Sequence, residues 1–98
     1  MRRKILSALA PYIGIELRNR RVLAALTQHQ AADELGMLRT VLSRLESGRT
    51  SPCLETLETC AAFYRCEVSA ILAGAEAVRD LDAQAAREAD VRSFQGTG

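Results

Sequence analysis

Apolar residues in this chain recur at spacings of three and four between glycine and proline breaks, and no run alternates with the period of two that a strand requires. The breaks fall at Pro11, Gly14, Gly36, Gly48, Pro52, Gly74, Gly96 and Gly98. The spacing predicts a first main helix over residues 15–25, with Leu17, Arg21, Ala24 and Ala25 along one side and Val22 and Leu26 beside them. Upstream, Ile5, Leu6, Leu9 and Ile13 form an amphipathic stretch expected to pack on the domain. A second helix is expected to open at Thr27-Gln28-His29-Gln30, where Thr27 and Gln30 stand at capping-box spacing. It should stop at Gly36, the residue type that most readily turns left-handed after a helix.

A short connection, Gly36-Met37-Leu38, leads to a third helix over residues 39–46, with Val41, Leu42 and Leu45 expected to face the core. Ser51-Pro52 offers an N-cap and a first-turn proline for a fourth helix over residues 52–64, burying Leu54, Leu57, Cys60, Ala61 and Tyr64. Residues 69–73 read as a short helix closed by Gly74. Residues 75–93 read as a separate Ala-rich helix with a thin stripe of Val78, Leu81, Ala85 and Ala89, and residues 95–98 as a frayed end.

The expected fold is therefore all-α, in 98 residues that are 48% apolar but only 4% aromatic, so the core must be aliphatic. Three parts are expected: an extension over residues 1–14, a domain over 15–73, and a C-terminal helix over 74–98. A chain this small buries limited apolar surface, and the narrow stripe of its last helix cannot hold a lone helix ordered, so a homodimer through that helix is expected.

Net charge is only +1, but residues 1–49 carry nine Lys/Arg against four Asp/Glu, whereas residues 50–98 carry four against eight. A basic half joined to an acidic half suggests a polyanionic partner for one part only. Met1-Arg2-Arg3-Lys4 before residues 5–10 imitates the start of a signal peptide, but Pro11 interrupts the apolar run and no small-residue cleavage site follows. No stretch approaches the length of a membrane span. The chain reads as cytoplasmic, with Cys53, Cys60 and Cys66 as reduced thiols. Those three lack a close-spaced pair, and the single histidine, His29, lies far from them, so no metal site is expected. There is no phosphate loop, nucleophile elbow or partnered catalytic histidine, so neither an enzyme nor a cofactor is expected.

Two short helices joined by a glycine-containing turn make a helix-turn-helix pattern. The exposed stripe of the second helix is Arg39, Thr40, Ser43, Arg44 and Ser47, with no acid among them. A solvated face normally mixes Glu with Lys. Guanidinium forks and small hydroxyls suit the major groove instead, where Arg pairs with guanine and Thr or Ser bonds a base edge.

Residues 15–72 resemble the Cro/C1-type helix-turn-helix family, also called the XRE family. The matching residues are Leu17-Arg18, Arg20-Arg21, Leu26-Thr27-Gln28, Ala31-Ala32, Leu35-Gly36, Leu42-Ser43-Arg44-Leu45-Glu46, Gly48-Arg49, Pro52 and Leu54-Glu55-Thr56-Leu57. The resemblance implies five helices with the third reading DNA. It implies base contacts from Arg39, Thr40, Ser43 and Arg44, phosphate contacts from Thr27, Gln28, Ser47 and Arg49, and a structural ion pair between Arg21 and Glu46. The sequence departs from the family at three points: Leu38 stands where Ser or Thr usually caps the third helix, Ala25 where glycine precedes the second, and Cys53 where serine opens the fourth.

The function expected is a dimeric, sequence-specific regulator of transcription, most simply a repressor on a palindromic operator in double-stranded DNA. It would take no small-molecule ligand, since the residues after the fifth helix are too few for a ligand domain. Arg2, Arg3 and Lys4 are candidates for an arm on phosphate or minor groove. The competing reading is an antitoxin whose acidic half neutralises a toxin partner while its basic half autoregulates the operon.

Overall fold

The computed structural model of the protein describes the backbone of residues 7–95 and the side chains of residues 7–92. The basic trio Arg2-Arg3-Lys4, with Ile5 and Leu6, lies outside the described residues, as do residues 96–98. Five helices follow in order: α1 (Ala10–Leu23), α2 (Gln28–Leu35), α3 (Arg39–Glu46), α4 (Leu54–Phe63) and α5 (Val68–Gln95). The fold is all-α, as the periodicity predicts.

Two of the expected glycine breaks lie inside helices. α1 starts at Ala10 and runs through Gly14, and α5 runs unbroken through Gly74. A Cβ on Gly14 would stand 2.5 Å from the backbone oxygens of Leu45 and Glu46, and one on Gly74 would stand 2.5–2.6 Å from the Glu16 carboxyl group. Both glycines let another element come close, and neither ends a helix. The expected boundaries at residues 14/15 and 73/74 therefore fall within α1 and α5. Pro11, also read as a break, sits in the first turn of α1, where a missing N–H breaks no helical bond.

The helix-turn-helix is built by local chemistry. Thr27 accepts from the Gln30 N–H at 3.1 Å while Gln30 Oε1 accepts from the Thr27 N–H at 2.9 Å, the complete capping box that their spacing predicts. Gly36 takes φ 71° and turns the chain into α3. The residue before this unit is less comfortable: Ala25, standing where glycine is usual, holds φ 59°.

The main core joins α1, α4 and α5 through Ile13, Leu17, Leu57, Cys60, Ala61, Ile71 and Ala75. A second cluster of Ala31, Ala32 and Leu42 locks α2 to α3, with Leu26, Leu35, Met37 and Phe63 packed around it. Tyr12 Oη donates to Asp82 Oδ2 at 2.9 Å, tying the start of α1 to the middle of α5. Apart from that hydrogen bond to Asp82, α5 leaves the body of the domain, and every α5 residue from Arg79 to Arg92 is exposed.

Three expectations about side chains are corrected. Val41 is 41% exposed and Leu54 65% exposed, so neither belongs to the core. Val22, Ala24 and Ala25 are exposed too, because α1 buries the face of Ala10, Ile13, Gly14 and Leu17 and ends before Ala24. Ser51 does not cap α4. Its Oγ accepts from the Ser7 N–H at 3.1 Å, and α4 opens later, at Leu54 behind Cys53, with no side-chain cap.

Candidate nucleic-acid interface

α3 begins at Arg39, directly after the turn, and its buried side is Leu42, Leu45 and Glu46. Helical periodicity then puts Arg39, Thr40 and Arg44 outward, and all three are exposed; Ser43, on the side of the helix, is half-buried. Ser47 is exposed at the end of α3, its Oγ donating to the Arg44 carbonyl at 3.2 Å. Arg49 is exposed just beyond, its backbone N–H bonded to the same carbonyl at 3.0 Å. No acidic side chain interrupts this surface from Arg39 to Ser43; the acid that ends α3, Glu46, is turned inward.

Glu46 is the only charged side chain fully buried among the described residues, at 6% exposure. Its Oε2 accepts from Arg21 Nε at 2.7 Å and its Oε1 from Arg21 Nη2 at 3.0 Å, the bidentate fork that guanidinium geometry allows. Arg21 Nη1 donates to the Leu26 carbonyl at 2.8 Å, so one side chain ties α1, the loop before α2 and the end of α3. The hydrogen bonds to Glu46 raise the Arg21 pKa further above its usual value. Gln28 completes the arrangement: its Nε2 donates to Glu46 Oε1 at 3.1 Å, and its Oε1 accepts from Arg39 Nη1 at 3.4 Å.

Arg18, Arg21, Gln28, Ser43, Glu46 and Ser47 line a polar cleft of about 220 Å³ between α1, α2 and α3. Beside it lies the start of α2, where the first N–H groups have no intrahelical partner and the dipole is positive. Thr27 and Gln28 stand there, with Thr27 committed to its capping box as acceptor and free to donate its hydroxyl proton. The structure thus gathers Thr27, Gln28, Arg39, Ser43, Ser47, Arg21 and Glu46 around one edge of α3, with Thr40 and Arg44 on its outward face and Arg49 at its far end.

Arg18, among the residues that carry the resemblance but given no contact of its own, is exposed one turn before Arg21 on the cleft wall, and the exposed apolar pair Leu38 and Val41 was given no part in binding. The three-residue step from Arg21 was the available signal for Arg18. Nothing in the local pattern marked Val41 as exposed. Among the described residues no group of three or more His, Cys, Asp or Glu lies close enough to hold a metal ion, and no helix is long and apolar enough to cross a membrane.

The profile of a family described as a helix-turn-helix domain matches residues 13–81. The HTH-type transcriptional activator BcrR of Enterococcus faecalis is 36% identical over 53 residues, which cover 54% of this chain and 26% of that protein. The chain thus spans about a quarter of the length of this curated relative. Two solved structures of the clp gene regulator ClgR of Corynebacterium glutamicum are similar in fold. One has a TM-score of 0.78 at 26% identity, covering 96% of this chain and 98% of that one. The other has a TM-score of 0.68 at 25% identity, covering 74% and 94%.

Proposed function

Because the chain belongs to the helix-turn-helix domain family, in its XRE-like branch, we propose that it is a sequence-specific DNA-binding regulator of transcription whose recognition helix is α3. The observation that carries this reading is the pairing of an acid-free outward stripe, Arg39, Thr40 and Arg44, with a buried fork that fixes the helix presenting it. Arg39, Thr40, Ser43 and Arg44 contact base edges. Thr27, Gln28, Ser47 and Arg49 contact phosphates on either side and set the register, which carries no sequence information itself. Arg21 and Glu46 do not touch DNA; they hold α3 against α1. On binding, Gln28 turns part of its amide from Glu46 and Arg39 toward a phosphate, and Arg39 is released toward a base.

The protein acts as a homodimer. α5 is exposed from Arg79 onward, held to its own domain there through Tyr12 and Asp82, and Leu81, at 67% exposure, lies on the stripe with Val78, Ala85 and Ala89. A second α5 covers that stripe. Two recognition helices then face half-sites about one helical turn, ~34 Å, apart on a palindromic operator. Repression by occupying a promoter is the simplest output, and it needs no ligand, cofactor or catalytic group. Activation is the second reading, favoured by the name of the Enterococcus faecalis relative.

Selection from random duplex DNA tests the proposal. It should enrich a palindrome with half-sites about ten base pairs apart, and a reporter carrying that site upstream of or overlapping a promoter gives the sign of regulation. Failure to enrich any sequence would contradict the reading.

A further inference from the structure

α3 presents two apolar side chains that the interior does not use. Leu38, its N-cap residue, is 72% exposed, and Val41, in its first turn, is 41% exposed. Leu38 is unfavourable on two counts. Its backbone is extended as an N-cap should be, at φ −69° and ψ 144°, yet it supplies no side-chain cap, where Ser or Thr would stabilise the helix by about 1 kcal/mol. Its side chain also stands largely in water, as do those of Leu23, Leu54 and Leu81, and forgoes the gain of burial until a partner covers it. Earlier in the same chain, α2 is capped by a complete Thr27–Gln30 box. α1 and α4 also lack a side-chain cap, so what sets Leu38 apart is its exposure directly beside the outward stripe of α3.

Position supplies the occupant. Leu38 precedes Arg39 and Thr40 directly, so it extends the proposed base-reading stripe at the N-terminal end of α3. The major groove has one apolar feature for such a group to meet, the C5-methyl of thymine. We propose that Leu38, flanked by Val41, reads a thymine methyl group in each half-site. The inference rests on α3 lying in the major groove. It adds to the polar readout a contact that distinguishes thymine by its methyl and not by its hydrogen-bonding edge.

The test uses the selected duplex and copies in which each thymine in turn is replaced by deoxyuridine, which removes the methyl and leaves base pairing intact. The unmodified protein should lose roughly three- to tenfold in affinity at one or two positions per half-site, the scale of one buried methyl contact. L38S should bind the thymine duplex about as the unmodified protein binds the deoxyuridine one, and should no longer separate the two. It should also melt at a higher temperature than the unmodified protein, because the serine restores the cap; this shows that weaker binding is not misfolding. V41A should give a smaller loss of the same kind.

If every deoxyuridine duplex binds as well as the thymine duplex while a scrambled sequence is still rejected, methyl reading is wrong and groove reading stands. If L38S keeps the full discrimination, Leu38 is not the reader. If the scrambled duplex binds equally well, the groove assignment itself falls, and this inference with it.

Discussion

Replacing Arg21 by methionine removes the charge that faces Glu46 while keeping an apolar stem of similar length. The side chains of this pair are 11% and 3% exposed, so the carboxylate left behind has little access to water. Removing one partner of a buried pair costs about 3–5 kcal/mol, much of it the penalty of the stranded charge. Gln28 still donates one hydrogen bond to Glu46, which favours the lower end; the Leu26 carbonyl losing its donor pushes the other way. A chain of this size has a total stability of about 5–15 kcal/mol, so Arg21→Met takes a large share of it.

The neighbouring pair Glu16–Arg20 is a control. It lies within one helix at i, i+4 spacing with side chains 14% and 26% exposed, and Arg20→Met should cost below about 1 kcal/mol. Urea unfolding followed by circular dichroism measures both, read as midpoint shifts at unchanged slope. Arg21→Met together with Glu46→Leu should recover much of the loss, because a buried pair replaced by apolar groups is often neutral. A loss below about 1 kcal/mol for Arg21→Met, or no recovery in the double variant, would refute the argument that burial makes this pair a determinant of the α3 position.

Three further outcomes follow from the structure. Ala25→Gly should stabilise the protein by about 1 kcal/mol, since a left-handed backbone penalises a Cβ that glycine lacks; an unchanged melting temperature would count against the strain at φ 59°. On the selected duplex, binding should weaken steeply with salt, and Arg49→Ala should reduce the slope of log K against log salt by about 1 per half-site without altering base preference. In alkali, burial raises the Cys60 thiol to about 11 and the Tyr64 phenol to about 12 in the folded protein. The unfolded chain loses those protons first, from model values of 9.0 and 10.0, so stability should be full below pH 9 and fall through pH 11–12. Cys60→Ala with Tyr64→Phe should flatten that decline.

The parts of this molecule that were legible in the sequence are those fixed by chemistry within a few residues. A hydroxyl and an amide three positions apart make the α2 cap, and a glycine makes the left-handed turn. The outward stripe of Arg39, Thr40 and Arg44 was legible for the same reason, since helical spacing alone sets it. What was misread depends on neighbours distant in the chain. Gly14 and Gly74 have the composition of helix breaks, and only the approach of α3 and of Glu16 gives them another purpose. Val41 has the hydropathy of a core residue, yet Leu42 and Leu45 already fill the space under α3. Ser51 is a good capping residue by type, but the backbone of Ser7 claims its oxygen.

The central claim is that α3 reads base sequence through its exposed arginines, and Arg44→Ala tests it most directly. Fluorescence anisotropy should be measured at one fixed salt concentration, on the selected duplex and on a scrambled duplex, for the unmodified protein and the variant. The account predicts that the unmodified protein prefers the selected site by at least about a thousandfold. It predicts that Arg44→Ala loses roughly 1–3 kcal/mol per half-site on that site and little on the scrambled one, so that the preference narrows. Equal losses on both duplexes would make Arg44 a phosphate contact, and no loss on either would remove α3 from the groove.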